Sequence, residues 1–506
     1  MKKLFGSVAI EHAVTHANTK ALIEGELQRK PAQPEIAQLL LVCGRVQIAA
    51  VDVGEDSVLL EGKSIFNVIY ADIAGEAHSF EASAPFAHTV EAEGARAGMT
   101  AKVSCAVHSV DARILSGGSV AVKAHVCIDA RVSEQTEREV LCGLQECQGV
   151  YFQEKTLHIP RHVCGKNVLF SFREDIRLPQ NLPTVHKLLH VDAYGVAKNI
   201  HVENMKVIAE GDLRLHILYE SNDKNAPLQR YSGTIPFGEI IDVDDAEQTD
   251  TASVLCETVE ISMSCMEGSE DMITIEGSAK LCCDVYRFSD SACIADLYSV
   301  KKNLECVRAP LRMRGLERFF TAKTILRSTA ELPKNAPDVS RVLYSHSCAG
   351  DVAAKPMHGY VEVSGNIYTQ MCYACINGSL FTTDIVTPFT TEISMESVAE
   401  DAEVQPCVQV EYFEVEGSGR DLDTKFALEI MLGEYSGTVQ TVVIDAEERS
   451  EPLKLQKGIL IYVTEKKEAC WDICKKFHIA PDALSSMNPD CDPDFISAGQ
   501  KLIIFP

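Results

Sequence analysis

The sequence predicts a mainly β protein: three tandem β-rich repeats followed by a small βααβ module. Landmark residues recur at intervals of about 150, the signature of internal repeats. Runs of apolar residues alternate with a period of two, the signature of half-buried strands. Beyond Ile459 both patterns stop.

The landmarks hold one order in every copy. Pro-Phe pairs stand at Pro85-Phe86, Pro236-Phe237 and Pro388-Phe389, with spacings of 151 and 152. Upstream of each lies a glycine (Gly62, Gly211, Gly365), followed eight residues on by Tyr70, Tyr219 and Tyr373. Cys105, Cys256 and Cys407 follow the pairs, and their recurrence reads as a shared packing position. Between glycine and tyrosine every second residue is mostly apolar, as in Ser64, Phe66, Val68 and Tyr70, so each run is a strand. Alternation returns late in each repeat, over 120–132, 273–285 and 426–432. Proline-led segments at 34–40, 183–189 and 337–343 read as short helices, since Pro suits the first helical position. No long amphipathic helices separate the strands, which favours antiparallel sheets.

This order of elements resembles the SPOCS (spore-coat scaffold) domain family over about residues 20–135, 165–290 and 318–440. The expected domains are 1–150, 151–305 and 306–452, with a terminal module at 459–506. Whether the three repeats pack together is left open by the sequence.

In the terminal module, Ile461-Tyr462-Val463 reads as a strand. Cys470, Ile473, Cys474 and Phe477 then share one helical face, and Pro481 opens a second helix that ends at Asn488-Pro489. A closing strand follows Gly499. With Trp471, Asn488-Pro489, Ile496 and Gly499-Gln500-Lys501-Leu502 in place, the module resembles LysM, a family that binds N-acetylglucosamine polymers. Glycan-binding members carry Gly-Asp-Thr in the first loop, where this chain has Lys467, Glu468 and Ala469. Lys for Gly disfavours a positive-φ backbone by about 1 kcal/mol, and Ala removes the hydroxyl. The difference favours a protein ligand. The expected binding residues are Lys467, Glu468, Ala469, Cys470 and Trp471 on one side, and Asn488, Pro489, Asp490, Ile496 and Ser497 on the other. Trp471 reads equally as a binding anchor or as a flank of the small core.

Tandem SPOCS domains with a C-terminal LysM resemble spore-coat morphogenetic proteins. That resemblance implies a LysM that docks on a coat-basement ATPase (SpoIVA-like) and repeats that organise other spore-coat proteins. It places the chain in the mother-cell cytosol at the forespore surface. The alternative is a peptidoglycan-binding protein that uses its repeats as spacers.

Composition agrees with a protein partner. The 506 residues carry 47 Lys+Arg against 73 Asp+Glu, a net charge of −26, which repels nucleic acid and anionic lipid. No apolar run approaches the length of a membrane span, and Glu11 and His12 interrupt the basic N-terminus before a secretory core. The nineteen cysteines, many in apolar runs such as Val126-Cys127-Ile128, read as buried thiols of a reducing compartment.

No constellation reads as catalytic, so the expectation is a non-enzyme with neither cofactor nor metal. The His-x-x-x-His spacings at His12/His16, His158/His162 and His186/His190 lack the Glu a zinc peptidase needs. Cys372 and Cys375 have redox-motif spacing without a complementary pair, and read as strand residues. The acidic runs at 242–245 and 490–494 lack the glycine and terminal Glu of a calcium loop; the second lies beside the binding loops and could select a basic surface.

Overall fold

The computed structural model describes residues 1–116, 118–223, 228–266, 269, 271–377, 379–396, 398, 400, 402–453, 458–489, 492 and 495–505. It is 76% strand and 3% helix, which makes the protein mainly β, and its strand pairings are antiparallel. The first unit holds β1 (Lys2–Leu27), β2 (Gln38–Gly54), β3 (Ser57–Ala71), β4 (Ala77–Glu91), β5 (Thr100–Ile114) and β6 (Val120–Gln145). The second holds β7 (Val150–Arg177), β8 (Val185–Glu203), β9 (Lys206–Ser221), β10 (Leu228–Asp242), β11 (Thr251–Cys265) and β12 (Met272–Ser299). The third holds β13 (Leu304–Glu331), β14 (Val339–Met357), β15 (Tyr360–Cys375), β16 (Leu380–Ser394), β17 (Glu403–Ser418) and β18 (Asp421–Glu448).

The second unit is one six-stranded sheet, ordered β10-β9-β8-β11-β12-β7. Its two halves meet where Cys256 faces Gly195, at a backbone so close that a side chain on Gly195 would collide with the thiol. The other units repeat the neighbours in two separate halves: β2-β3-β4 with β1-β6-β5, and β14-β15-β16 with β13-β18-β17. In each unit the halves enclose a core of aliphatic and aromatic side chains.

The repeated landmarks now have physical reasons. Gly62, Gly211 and Gly365 stand directly opposite Phe86, Phe237 and Phe389, and each faces a bulge in the preceding strand. At Gly211 the bulge drives the Val196 carbonyl to 2.1 Å from where a Cβ would sit, so only glycine fits. Tyr70, Tyr219 and Tyr373 each donate their hydroxyl to the carbonyl of Pro34, Pro183 or Pro337, at 3.1, 2.9 and 2.8 Å.

Those prolines do not start helices, which corrects the reading of 34–40, 183–189 and 337–343. Each directly follows a turn, in the short extended segment that leads into β2, β8 or β14. Bulges between Val185/Lys187 and Leu188/His190 break the period of two, and spread Val185, Leu188 and Leu189 at helix-like intervals. The tyrosine tether then holds the segment extended.

The three units pack around a pseudo-threefold axis. One cluster takes Val8, Ile10 and Val140 from the first, Leu157, Ile159 and Cys293 from the second, and Leu311, Met313 and Val442 from the third. Further clusters repeat the arrangement: Leu141, Ile294 and Val443 in one, and Leu40, Leu189 and Tyr344 in another. Each such side chain contributes about 1.5–3 kcal/mol when fully buried, which decides for a closed body over separate beads.

The terminal module contains β19 (Leu460–Val463), β20 (Glu468–Ala469), α1 (Cys470–Phe477), α2 (Pro481–Met487), β21 (Phe495–Ile496) and β22 (Lys501–Ile504). The expected βααβ order is present, with one addition: β20 and β21 pair and zip the two loops together. No helix among the described residues is long and apolar enough to cross a membrane.

Candidate functional site

The module's core is Ile473, Cys474, Ile479, Leu484, Ile496, Leu502 and Ile504, but one buried member comes from elsewhere: Tyr298 of β12. The end of the second unit's long β7–β12 strand pair thus completes the small core. Tyr298 donates to the Ile479 carbonyl at 2.8 Å, and His478, left-handed at the end of α1, meets the Ser299 carbonyl at 3.0 Å through Nδ1.

Asp296 is the electrostatic centre of this joint. Trp471 Nε1 donates to its carboxylate at 2.9 Å, and Lys475 Nζ reaches both oxygens at 2.6 and 2.7 Å. Arg308 of the third unit adds a contact at 2.6 Å. Burial alone would raise the Asp296 carboxyl, but the Lys475 and Trp471 hydrogen bonds outweigh it and bring it down to about 2. The Trp471 ring meets Tyr298 edge-on, with centroids 4.9 Å apart. Trp471 therefore joins the module to the second unit.

The other expected binding residues divide by environment. Lys467, Pro489 and Ser497 are exposed, while Glu468, Ala469 and Cys470 are half-buried. Glu468 accepts from the Tyr462 hydroxyl at 3.1 and 2.8 Å, and Cys470 Sγ reaches the Asp492 carbonyl at 3.4 Å. Asn488 is buried and bridges α2 to β22, donating to the carbonyls of Leu484 and Ile503 and accepting from the Ile503 amide at 2.7 Å. Ile496 lies in the core. Asp490 falls outside the described residues, as do Cys491, Pro493 and Asp494 of the acidic run. No residue of 464–469 is among the positive-φ residues, and Ala469 has φ −74°. The loop backbone thus has no left-handed position that would call for glycine.

Sequence reading missed Asp296, Tyr298, Tyr151 and Lys475. A signal existed in the comparison of repeats. The cross-strand pair Tyr151/Tyr298 occupies the place of Lys2/Gln145 and Glu305/Glu447 in the other units. Only the second unit offers two rings there, stacked at 5.6 Å, on which an apolar module can sit.

The other motifs resolve into His–carboxylate pairs and packed cysteines. Histidines four apart on a strand are about 13 Å apart. His12 and His16 pair with Glu134 (3.2 Å) and Asp129 (2.5 Å), and His158 and His162 with Asp290 (2.5 Å) and Asp284 (3.0 Å). Cys372 and Cys375 belong to different apolar clusters. Eighteen cysteines are free thiols among the described residues.

Three β units joined to a small helix-bearing binding module define a multidomain β scaffold. The family described as SipL, SPOCS domain matches residues 35–115 and 184–282, and the LysM domain matches 462–505. The matched SPOCS segments fall on β2–β5 and on β8 through mid-β12. The chain therefore carries two segments that match the SipL SPOCS domain and a C-terminal LysM domain, a combination that suggests a sporulation-coat-related protein with a binding module. No curated protein and no solved structure matches it significantly.

Proposed function

We propose that the protein is a non-enzymatic spore-coat scaffold and adaptor on the mother-cell side of the forespore. Its LysM docks on a SpoIVA-like coat-basement ATPase while the SPOCS units hold other coat proteins. The observation that carries this reading is the way the LysM is mounted. Its α1 face is taken up by Asp296 and Tyr298, so the surface offered to a partner is that of the exposed loop residues, such as Lys467, Pro489 and Ser497. The outward face of β19 and β22 continues that surface with Ile461 and Ile503, paired across the strands and 70% and 48% exposed. Exposed paired aliphatics beside the Lys467 loop suit a protein surface better than a sugar polymer. Tethering at both ends raises effective concentration, so modest affinities suffice.

A pull-down from sporulating cells tests this, with the full chain and a chain ending at Pro452 as baits and insoluble peptidoglycan in parallel. The reading predicts a coat ATPase recovered only when 459–506 are present, with no peptidoglycan retention. Peptidoglycan retention without that partner would overturn it in favour of glycan binding.

A further inference from the structure

The junction between the first and third units holds a cluster of donor atoms that packing does not explain. Cys127 Sγ of β6 lies 3.5 Å from His108 Nδ1 of β5 and 3.4 Å from Asp351 Oδ1 of β14. All three donor atoms fall within 4.8 Å of one another. A tetrahedral zinc ion, with bonds of about 2.3 Å to sulfur and about 2.0–2.1 Å to nitrogen and oxygen, sets ligand-to-ligand edges of about 3.5 Å. We propose that this junction binds one thiophilic divalent cation of the zinc class through Cys127, His108 and Asp351, with water as the fourth ligand.

Two features make the cluster expensive for packing alone to keep. Asp351 has φ +50°, a left-handed conformation at the β14 bulge that turns its carboxylate toward the thiol. His108 Nε2 is buried without a partner, pressed against Gly350, where an added Cβ would lie 2.4 Å from it. A cation gives the first of these a purpose. Cation binding forms the metal–sulfur bond and releases the Cys127 proton to solvent.

The surroundings orient the donors. Tyr368 donates its hydroxyl to Asp351 Oδ2 and stacks its ring on His108, with centroids 4.3 Å apart. Asn366 Nδ2 approaches the same oxygen at 3.4 Å. Lys20 Nζ stands 3.6 Å from Asp351 Oδ1 on a largely exposed side chain, free to swing into solvent. At the second–third junction the position equivalent to Tyr368 is Arg214, which joins an ion network with Glu411 and Glu429. The thiol–imidazole–carboxylate set is particular to the junction that closes the ring, between strands more than 200 residues apart.

Cobalt(II) titration of the reduced, metal-stripped full chain tests the proposal. The expected result is a thiolate-to-cobalt absorption band that saturates at about one ion per chain and is abolished in Cys127→Ser. Tyr368→Phe, which removes an orienting hydroxyl and no donor, should weaken binding about 10–100-fold. The other His/carboxylate group, Asp72, Glu76 and His78, has no thiol and cannot produce the band. Absence of the band in the wild-type chain, or its persistence in Cys127→Ser, would overturn the proposal. If Cys127→Ser does not fold, Tyr368→Phe decides: unchanged cobalt affinity would count against this site.

Discussion

Asp296 is the residue on which the position of the LysM depends. Asp296→Asn keeps the shape but leaves Lys475 and Arg308 facing a neutral amide. Loss of a charge-assisted hydrogen bond costs about 1.5–3 kcal/mol, so docking should weaken by about 10–100-fold. Trp471, the only tryptophan, reports it directly. Its emission should shift to the red in Asp296→Asn and Tyr298→Ala, and unchanged emission would refute the joint. The pH dependence follows from the depressed carboxyl. A carboxylate at about 2 when docked and near 4 when free stabilises docking above pH 4. That contribution declines as pH falls through 4 and is gone below about 2. Trp471 emission should therefore be flat from pH 7 to about 4.5, where a histidine-controlled joint would already have changed near 6.5. Fully visible in the sequence was Trp471 itself. Its partner was not, because a carboxylate in Ala295-Asp296-Leu297 carries no local mark of what docks on it.

At the scale of elements, the strands were legible wherever one face alternates, as along Ser64, Phe66, Val68 and Tyr70. They were hidden where bulges break the period, and there the sequence read helices over 34–40, 183–189 and 337–343. The LysM helices were legible because eight residues of 3.6-period pattern stand between a clear loop and a positive-φ stop at His478. Two substitutions test what shapes the strands. Gly211→Ala places a Cβ against the Val196 carbonyl and the Phe237 ring, and should destabilise the second unit by about 1–3 kcal/mol. Tyr219→Phe leaves the Pro183 carbonyl without its donor and should cost about 1 kcal/mol. Urea denaturation measures both. A neutral Gly211→Ala would contradict the close approach at the bulge.

For the whole molecule, the closed arrangement makes a demand that separate beads would not. Leu157 is fully buried between units, so Leu157→Ala should cost about 2–5 kcal/mol and lower the unfolding midpoint of all three units together. Near the axis, burial holds His190 and His216 down at about 4, and their Nε2 atoms are buried without partners. Unfolded histidines take up protons near 6.5. Between about 6.5 and about 4 acid thus favours the unfolded chain, and stability should fall as pH drops. Thermal midpoints measured across that range check this, and His190→Gln should flatten the slope. The three-unit packing was not legible in the sequence, because residues such as Leu40, Leu189 and Tyr344 differ in kind and meet only across about 150 residues of chain.

If the LysM is a fixed adaptor, held by its α1 face and engaging the proposed SpoIVA-like ATPase through its loops, hydrogen–deuterium exchange of the full chain with and without that ATPase will show it. The account predicts new protection at 464–469 and 495–500, with exchange at 296–300 and 471–478 unchanged. Faster exchange at 296–300 and 471–478 on partner binding would contradict it, since the module would then have to leave its mount to work.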